Sequence, residues 1–174
     1  MADRARLRDL AALAARLVAG GIWIVAGVAK ALDFDSFHLQ LQGYDVLPQS
    51  TVSWVTYGLP VLEIALGAYL VVGLLVRPAA WLSVGLMTVF IVAQGQAWAR
   101  GLHIDCGCFG RADVQTVGPR TILRDLALAA PSVLVLCLGE GRYSLERVLH
   151  TPRTADEHGD AAAVGADPGH DHLW

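Results

Sequence analysis

The stretch that decides the fold lies at residues 51–76 and reads TVSWVTYGLPVLEIALGAYLVVGLLV. It is almost continuously apolar, and it is longer than the roughly 20 helical residues that cross the hydrocarbon core of a bilayer. Three further apolar blocks reach spanning length, at about 10–31, 79–99 and 121–139. The pattern predicts an all-α integral membrane protein that folds as a bundle of four transmembrane helices.

The composition agrees with a membrane protein and disfavours one class of partner. Of the 174 residues, 55% are hydrophobic and only 17% are charged, whereas roughly 25% of the residues are charged in soluble domains. The formal net charge is -3, so the chain gives no reason to expect nucleic acid as a partner. We therefore expect the lipid bilayer to be the main environment of the chain.

The first block also fits a second interpretation, a cleaved signal peptide. It follows a basic start, and its last residues, 29–31 (AKA), are similar to a small-x-small cleavage site. Arg16, however, interrupts the segment that should be uniformly apolar, and the block is long enough to span the membrane. A retained transmembrane helix is therefore favoured.

Small and aromatic residues in the blocks are typical of packed membrane helices. Glycine allows close helix–helix approach, and five glycines are expected to serve such packing: Gly20, Gly21, Gly27, Gly58 and Gly67. Tryptophan is enriched where a helix meets the membrane–water interface, which is where we expect Trp23, Trp54, Trp81 and Trp98.

Four spans place both chain ends on one side of the membrane and the loops at 32–50 and 100–120 on the other. A tight turn at Arg77 and Pro78 is expected to join the second and third spans. Basic residues favour the cytoplasmic side, and the terminal side carries eight of them against five. We therefore predict a plasma-membrane protein with a membrane domain at 10–140, cytoplasmic ends at 1–9 and 141–174, and an extracytoplasmic cysteine loop. The tail is expected to be largely disordered, since it cannot bury a core.

The cysteine loop contains the run Asp105-Cys106-Gly107-Cys108-Phe109-Gly110. Two of the three cysteines of the chain lie one residue apart there, on the side where disulfides form and persist. A bond between them would close a very small ring, which Gly107 permits. Strained bridges tend to be labile and catalytic, and so small a ring adds little loop-closure stability. Cys106 and Cys108 are therefore candidate catalytic residues for thiol–disulfide exchange.

Two alternatives for the cysteine pair stay open. With His103 the pair forms the spacing H-x2-C-x-C, which could hold Cu(I) or zinc if a further ligand such as His38 completed the site. Otherwise the thiols carry no chemistry and stay unpaired, or one of them bonds to Cys137. Cys137 falls deep in the fourth block, where we expect a buried apolar filler.

Charged residues near the loop are candidates for supporting roles. Positive charge stabilises a thiolate, and His103 could supply it together with Arg100, Arg111 and Arg120, whereas Asp105 would oppose it. Lys30 and Arg124 lie near the ends of their blocks. They either extend to the membrane interface or surround the cysteine loop and favour its thiolate.

Glu63 lies near the middle of the second block, where ionisable residues are rare and face the bundle interior or a polar cavity. A functional interpretation makes it a proton relay or a contact to a quinone head group. A structural interpretation makes it a neutral acid, or the partner of another polar group such as Gln94 or Gln96. The sequence supports both interpretations equally.

The run at 103–110, HIDCGCFG, resembles the signature of the MauE family, the methylamine-utilisation membrane proteins within the wider DoxX-like group. The similarity covers about 16–138 and includes Gly27, Lys30, Asp33, Tyr44, Leu47, Pro48, Leu59, Pro60, Glu63 and Arg124. The resemblance implies a four-helix membrane bundle with a role in disulfide chemistry beside a thioredoxin-like partner. In methylamine operons that role is maturation of the disulfide-rich small subunit of methylamine dehydrogenase. The wider group includes membrane subunits of quinone-linked oxidoreductases.

The expected function is thiol–disulfide exchange through Cys106 and Cys108, in the maturation of an extracytoplasmic protein. If the chain is itself an enzyme, it is a thiol–disulfide oxidoreductase component with a quinone as the candidate electron acceptor. The alternatives are a non-enzymatic scaffold for an oxidoreductase complex, and a protein that handles a metal or small solute through His103 and the cysteine pair. Supporting roles fall to His103, Asp105, Gly107, Arg124, Lys30 and Glu63.

Overall fold

The computed structural model describes residues 2–107 and 115–138, which form five α-helices. In chain order they are α1 (Ala2–Ala31), α2 (Phe34–Gly43), α3 (Gln49–Val72), α4 (Val76–Ala99) and α5 (Pro119–Leu138). All except α2 contain a segment long and apolar enough to cross a membrane. Within the described ranges, β-structure is limited to one isolated bridge between Asp105 and Thr116. The predicted all-α bundle of four transmembrane helices is confirmed, while the tail at 141–174 lies outside the described residues.

Helix α2 lies in a segment that the sequence assigns to a loop. Asp33 caps its first turn by accepting a hydrogen bond from the backbone N–H of Ser36 at 3.2 Å. Phe37 is buried, so the helix packs against the end of the bundle. Because α2 has only 10 residues, it is too short to span a bilayer, and a search for long apolar blocks passes over it.

The turn between α3 and α4 lies at 73–75 and not at the predicted Arg77 and Pro78. Helix α3 ends where Gly73 adopts a left-handed conformation and donates its N–H to the carbonyl of Tyr69 at 2.9 Å. Arg77 and Pro78 belong to the first turn of α4. Proline is tolerated there because the first N–H groups of a helix have no partner within the helix.

Helices α1 and α3 pack along a contact that we call the α1–α3 seam, defined by Arg16, Gly20, Lys30, Glu63 and Gly67. A side-chain carbon at Gly20 would lie 2.7 Å from the carbonyl oxygen of Gly67, and one at Gly67 would lie 2.6 Å from the carbonyl oxygen of Gly20. Only glycine allows the two backbones to approach this closely. The expected close approach is confirmed at these two glycines and at Gly27, where a side-chain carbon would lie 2.8 Å from the carbonyl oxygen of Pro60, whereas Gly21 and Gly58 adjoin open space.

Arg16 closes one end of the seam by binding the last carbonyls of α3. It is only 2% exposed, and it donates Nε to the carbonyl of Leu70 at 3.1 Å and Nη2 to that of Val71 at 3.4 Å. The C-terminal carbonyls of a helix lack intrahelical partners and carry partial negative charge. The guanidinium supplies both the hydrogen bonds and the opposite charge, which explains how an arginine is accommodated in the first apolar block.

Exposed tryptophans mark both ends of the bundle. Trp54 and Trp98 are exposed at the end that carries the cysteine loop, and Trp81 is exposed at the opposite end. Trp81 and Trp98 lie about 25 Å apart along α4 at the α-helical rise, close to the thickness of a hydrocarbon core. These three fit the predicted aromatic belts. Trp23 does not, because it is buried in the core and donates its indole N–H to Ser83.

Candidate functional site

The cysteine loop joins α4 to α5, and a short backbone pairing fixes the position of Cys106. The N–H of Cys106 donates to the carbonyl of Gln115 at 2.9 Å, and the N–H of Val117 donates to the carbonyl of Ile104 at 2.8 Å. Cys106 is 5% exposed, so its side chain lies inside the bundle. Cys108 belongs to the segment 108–114, outside the described residues, and its catalytic role stays a prediction.

Two consecutive residues of α5 contact the thiol of Cys106. Arg124 donates Nη2 to Sγ at 3.5 Å, and the thiol lies 4.0 Å from Oδ2 of Asp125. Arg124 also donates Nε to Oδ1 of Asp125 at 3.0 Å, so an ion pair lies beside the sulfur. A guanidinium stabilises a thiolate, and a carboxylate at this distance can receive the proton of a thiol. The structure therefore places the predicted supporting residue Arg124 at the sulfur itself.

Asp125 is a candidate functional residue that the sequence interpretation missed. It is 1% exposed and accepts a hydrogen bond from Nε2 of Gln94 in α4. One carboxylate thus connects α4, α5 and the cysteine loop. Its signal in the sequence is an ionisable residue inside an apolar block, which is rare in membrane helices and is by default a functional candidate. We call Cys106, Arg124, Asp125 and Gln94 the cysteine site.

Helix α2 and the residue after it form one wall of the cysteine site. The hydroxyl of Tyr44 donates to the carbonyl of Cys106 at 3.0 Å. Gly107 adopts a left-handed φ of 72°, which glycine accommodates without steric cost, and a side chain there would collide with the amide of Gln40. Gly107 therefore lets the loop turn directly under α2.

Lys30 and Glu63 form a second buried polar group, in the α1–α3 seam. The ammonium of Lys30 donates to both carboxylate oxygens of Glu63 at 3.0 Å, and the two side chains are 2% and 0% exposed. Lys30 therefore does not extend to the membrane interface, which corrects one of the two expectations for it. The partner of Glu63 among the polar groups of the other spans is Lys30. A buried charge is costly when it stands alone, so each of the two compensates the other.

The other predicted supporting residues lie at the edge of the cysteine site. His103 is exposed, and Asp105 is half-buried in the bridge with Thr116. Arg100 donates to the carboxylate of Asp45 and to the carbonyl of Tyr44, both at 3.3 Å. Arg100 therefore ties the end of α4 to the segment after α2.

The metal interpretation stays a prediction, because Cys108, one of its ligands, lies outside the part of the chain that the structure describes. No three His, Cys, Asp or Glu side chains in that part are placed to hold a metal ion. His38, the suggested further ligand, has its two ring nitrogens hydrogen-bonded to Thr56 and Gln42. Cys137 is exposed, so the expected buried filler is wrong, and this thiol lies on the outer surface of a membrane-length helix.

Two cavities adjoin these polar groups. The larger has a volume of about 310 Å³ and extends from Cys106 and Gly107 to Lys30, with mostly apolar walls. The smaller has about 20 Å³ and is bordered by Lys30, Glu63 and Asp125, which is room for about one water molecule. The seam and the cysteine site are therefore neighbours across space that a small molecule could enter.

Four membrane-length helices and a buried thiol beside an ion pair define a multi-pass membrane protein with a cysteine site at one end of its bundle. The family model described as methylamine utilisation protein MauE matches residues 8–138. The chain therefore belongs to the MauE family, as the resemblance of its sequence indicated. No curated protein and no solved structure matches the chain.

Proposed function

We propose that this protein carries out thiol–disulfide exchange at the membrane through Cys106 and Cys108. The observation that carries the proposal is the placement of Arg124 at 3.5 Å from the sulfur of Cys106, with Asp125 beside both. Membership of the MauE family implies involvement in methylamine dehydrogenase maturation. In that setting the client is a disulfide-containing extracytoplasmic protein, and the direct partner is a thioredoxin-like protein.

The burial of Cys106 suggests how the two cysteines divide the work. A soluble partner has little access to a side chain that is 5% exposed, so we assign the mixed disulfide to Cys108. Cys106 then acts as the leaving and resolving thiol. A leaving thiolate departs faster when it is stabilised, and the guanidinium of Arg124 provides that stabilisation.

The exchange balances in two steps. A partner thiolate attacks the sulfur of Cys108, the Cys106–Cys108 bond breaks, and Cys106 leaves as a thiolate beside Arg124. A second partner thiolate then attacks the mixed disulfide and releases Cys108 as a thiolate. The partner gains a disulfide, and the cysteine pair gains two electrons and, after protonation, two protons. Asp125 is placed to exchange a proton with Cys106.

Matched cysteine variants test this assignment. Each variant is mixed with a thioredoxin-like protein that has a single active-site cysteine, activated as its thionitrobenzoate disulfide. Cys106→Ser should form a covalent adduct that reductant removes, because Cys108 attacks and Cys106 is absent to resolve the bond. Cys108→Ser should form little adduct, and Cys137→Ser, the control, should exchange normally. If Cys106→Ser traps no adduct, or if Cys108→Ser traps as much adduct as Cys106→Ser does, the proposal is wrong.

We also propose that the cysteine loop faces outward and both termini face the cytoplasm. The excess of arginine on the terminal side supports this orientation. Intact cells that carry the Cys106→Ser/Cys137→Ser variant are reduced and treated with a membrane-impermeant maleimide. Labelling of Cys108 in intact cells is expected, whereas labelling only after permeabilisation would reverse the orientation.

A further inference from the structure

The larger cavity is shaped as a site for a ligand that arrives from the membrane. Its volume of about 310 Å³ lies within the usual range of small-molecule sites. Apolar side chains of α2, α3 and α4 form its walls, among them Phe37, Leu59 and Phe90. An interior of this kind favours an apolar or aromatic molecule over a hydrophilic solute.

The cavity reaches the outer surface of the bundle at the level of the membrane. Val89 lines it and is 62% exposed, about 15 Å along α4 from the helix end at Ala99. Because α4 is long and apolar enough to span a bilayer, this side of the cavity opens toward lipid. A lipid-soluble molecule can therefore enter without passing through water.

The inner boundary of the cavity carries the polar groups. Five of the lining residues are polar or belong to the cysteine loop: Lys30, Gln40, Gln94, Cys106 and Gly107. Within the described residues, Oε1 of Gln40 is a buried acceptor that receives no hydrogen bond. The cavity thus offers a vacant acceptor and a thiol to an otherwise apolar ligand.

We propose that this cavity binds the head group of a lipid-soluble quinone, which oxidises the cysteine pair. Oε1 of Gln40 suits a hydroxyl of the quinol that is formed, and the thiol of Cys106 lines the same cavity. The inference rests on the proposed exchange, because that exchange leaves two reduced cysteines that need an electron acceptor. It adds the place where the acceptor binds and the residues that would recognise it.

The oxidation step balances with the quinone as the oxidant. The thiols of Cys106 and Cys108 lose two protons and two electrons, and one S–S bond forms. The quinone accepts the two electrons and two protons, so both of its carbonyl oxygens become hydroxyls. Asp125 accepts a hydrogen bond from the Cys106 thiol and borders the small cavity with Lys30 and Glu63, which gives the released proton a polar route.

The test measures quinone binding separately from cysteine chemistry. Full-length protein in lipid nanodiscs is titrated with a one-isoprene ubiquinone and with menadione, and binding is measured by calorimetry. Ala93→Phe places a ring inside the cavity and should weaken binding about tenfold or more. Val92→Phe is the matched control, since Val92 is exposed and does not line the cavity, and it should bind as the wild type does. Gln40→Leu should also weaken binding without filling the cavity.

The outcomes separate this inference from the proposed exchange. The Cys108→Ser variant keeps Cys106 in the cavity wall, so it should bind quinone normally but should not reduce it, whereas the reduced wild type should form about one quinol per cysteine pair. Binding that Ala93→Phe and Gln40→Leu both leave unchanged would overturn the quinone site, even if partner exchange is intact. If quinone binds normally but exchange with the thioredoxin-like partner fails, the proposed exchange is rejected and the cavity remains a quinone site.

Discussion

The α1–α3 seam and the cysteine site both bury charged side chains, but they arrange them differently. In the seam, Lys30 and Glu63 are almost completely buried and compensate each other. In the cysteine site, the side chain of Arg124 is 27% exposed and is shared between a carboxylate and a thiol. A closed pair holds two helices together, whereas a shared and partly open cation can respond to a change of charge on sulfur. The seam is therefore built for stability and the cysteine site for chemistry.

The largest expected effect comes from breaking the closed pair. Glu63→Gln removes the partner of a buried ammonium and should lower the free energy of unfolding by about 3 kcal/mol. Unfolding in detergent, followed by circular dichroism during a denaturant titration, measures this loss. Lys30→Met combined with Glu63→Gln should recover most of it, because no uncompensated charge remains.

The Glu63→Gln variant also tests whether the α1–α3 seam takes part in thiol–disulfide exchange. If Glu63→Gln loses stability but keeps the rate of partner exchange, the seam is structural and the proton-relay interpretation of Glu63 is wrong. If the free energy of unfolding does not change, the contrast between the two regions fails.

A somewhat smaller loss is expected from the glycine contact in the same seam. In Gly67→Ala the added carbon would lie 2.6 Å from a carbonyl oxygen of α1, and overpacking of this kind costs about 2 kcal/mol. Gly58→Ala in the same helix meets open space and serves as the control, with an expected change within about 0.5 kcal/mol. Equal stability of the two variants in a thermal unfolding assay would show that the close approach does not hold α1 against α3.

The smallest effect on stability, with a clear effect on reactivity, is expected at the cysteine site. In a Cys108→Ser/Cys137→Ser background, Arg124→Gln should slow about tenfold the reaction in which Cys106 forms a mixed disulfide with a small methanethiosulfonate and releases methanesulfinate. The reason is that the thiolate loses a charge-assisted hydrogen bond. Arg120→Gln changes an exposed arginine in the first turn of the same helix and should leave the rate unchanged. An equal effect of the two substitutions would mean that Arg124 acts only through its positive charge at long range and not through its hydrogen bond to the sulfur of Cys106.

Most of the fold could be predicted from the sequence because membrane spans follow from one simple requirement. Long apolar blocks must cross the bilayer as helices, and all four blocks do correspond to membrane-length helices. Helix α2 was not predicted because it is short. Its formation depends on the cap at Asp33 and on the burial of Phe37. The α3–α4 turn was misplaced because Gly73, and not the nearby proline, ends α3.

The site was predictable in part. The cysteine motif could be recognised because two thiols lie close together in a polar loop. Arg124 could be recognised because it is a charged residue near the end of a predicted span. The sequence did not predict which buried polar residues pair with each other, because the pairs Lys30–Glu63 and Gln94–Asp125 join residues 33 and 31 positions apart. Only the packing of α1 on α3 and of α4 on α5 brings them together. The apolar cavity is likewise a property of packing and leaves no motif in the sequence.

A thiol count during redox titration tests the central claim most directly. The Cys137→Ser protein is equilibrated with glutathione mixtures of increasing oxidising strength, alkylated, and weighed by intact mass spectrometry. Exchange through Cys106 and Cys108 predicts molecules that carry either two alkyl groups or none, with addition of a reduced thioredoxin-like protein shifting the population to two. A population that keeps two alkyl groups throughout, or that carries a single one, would contradict the account.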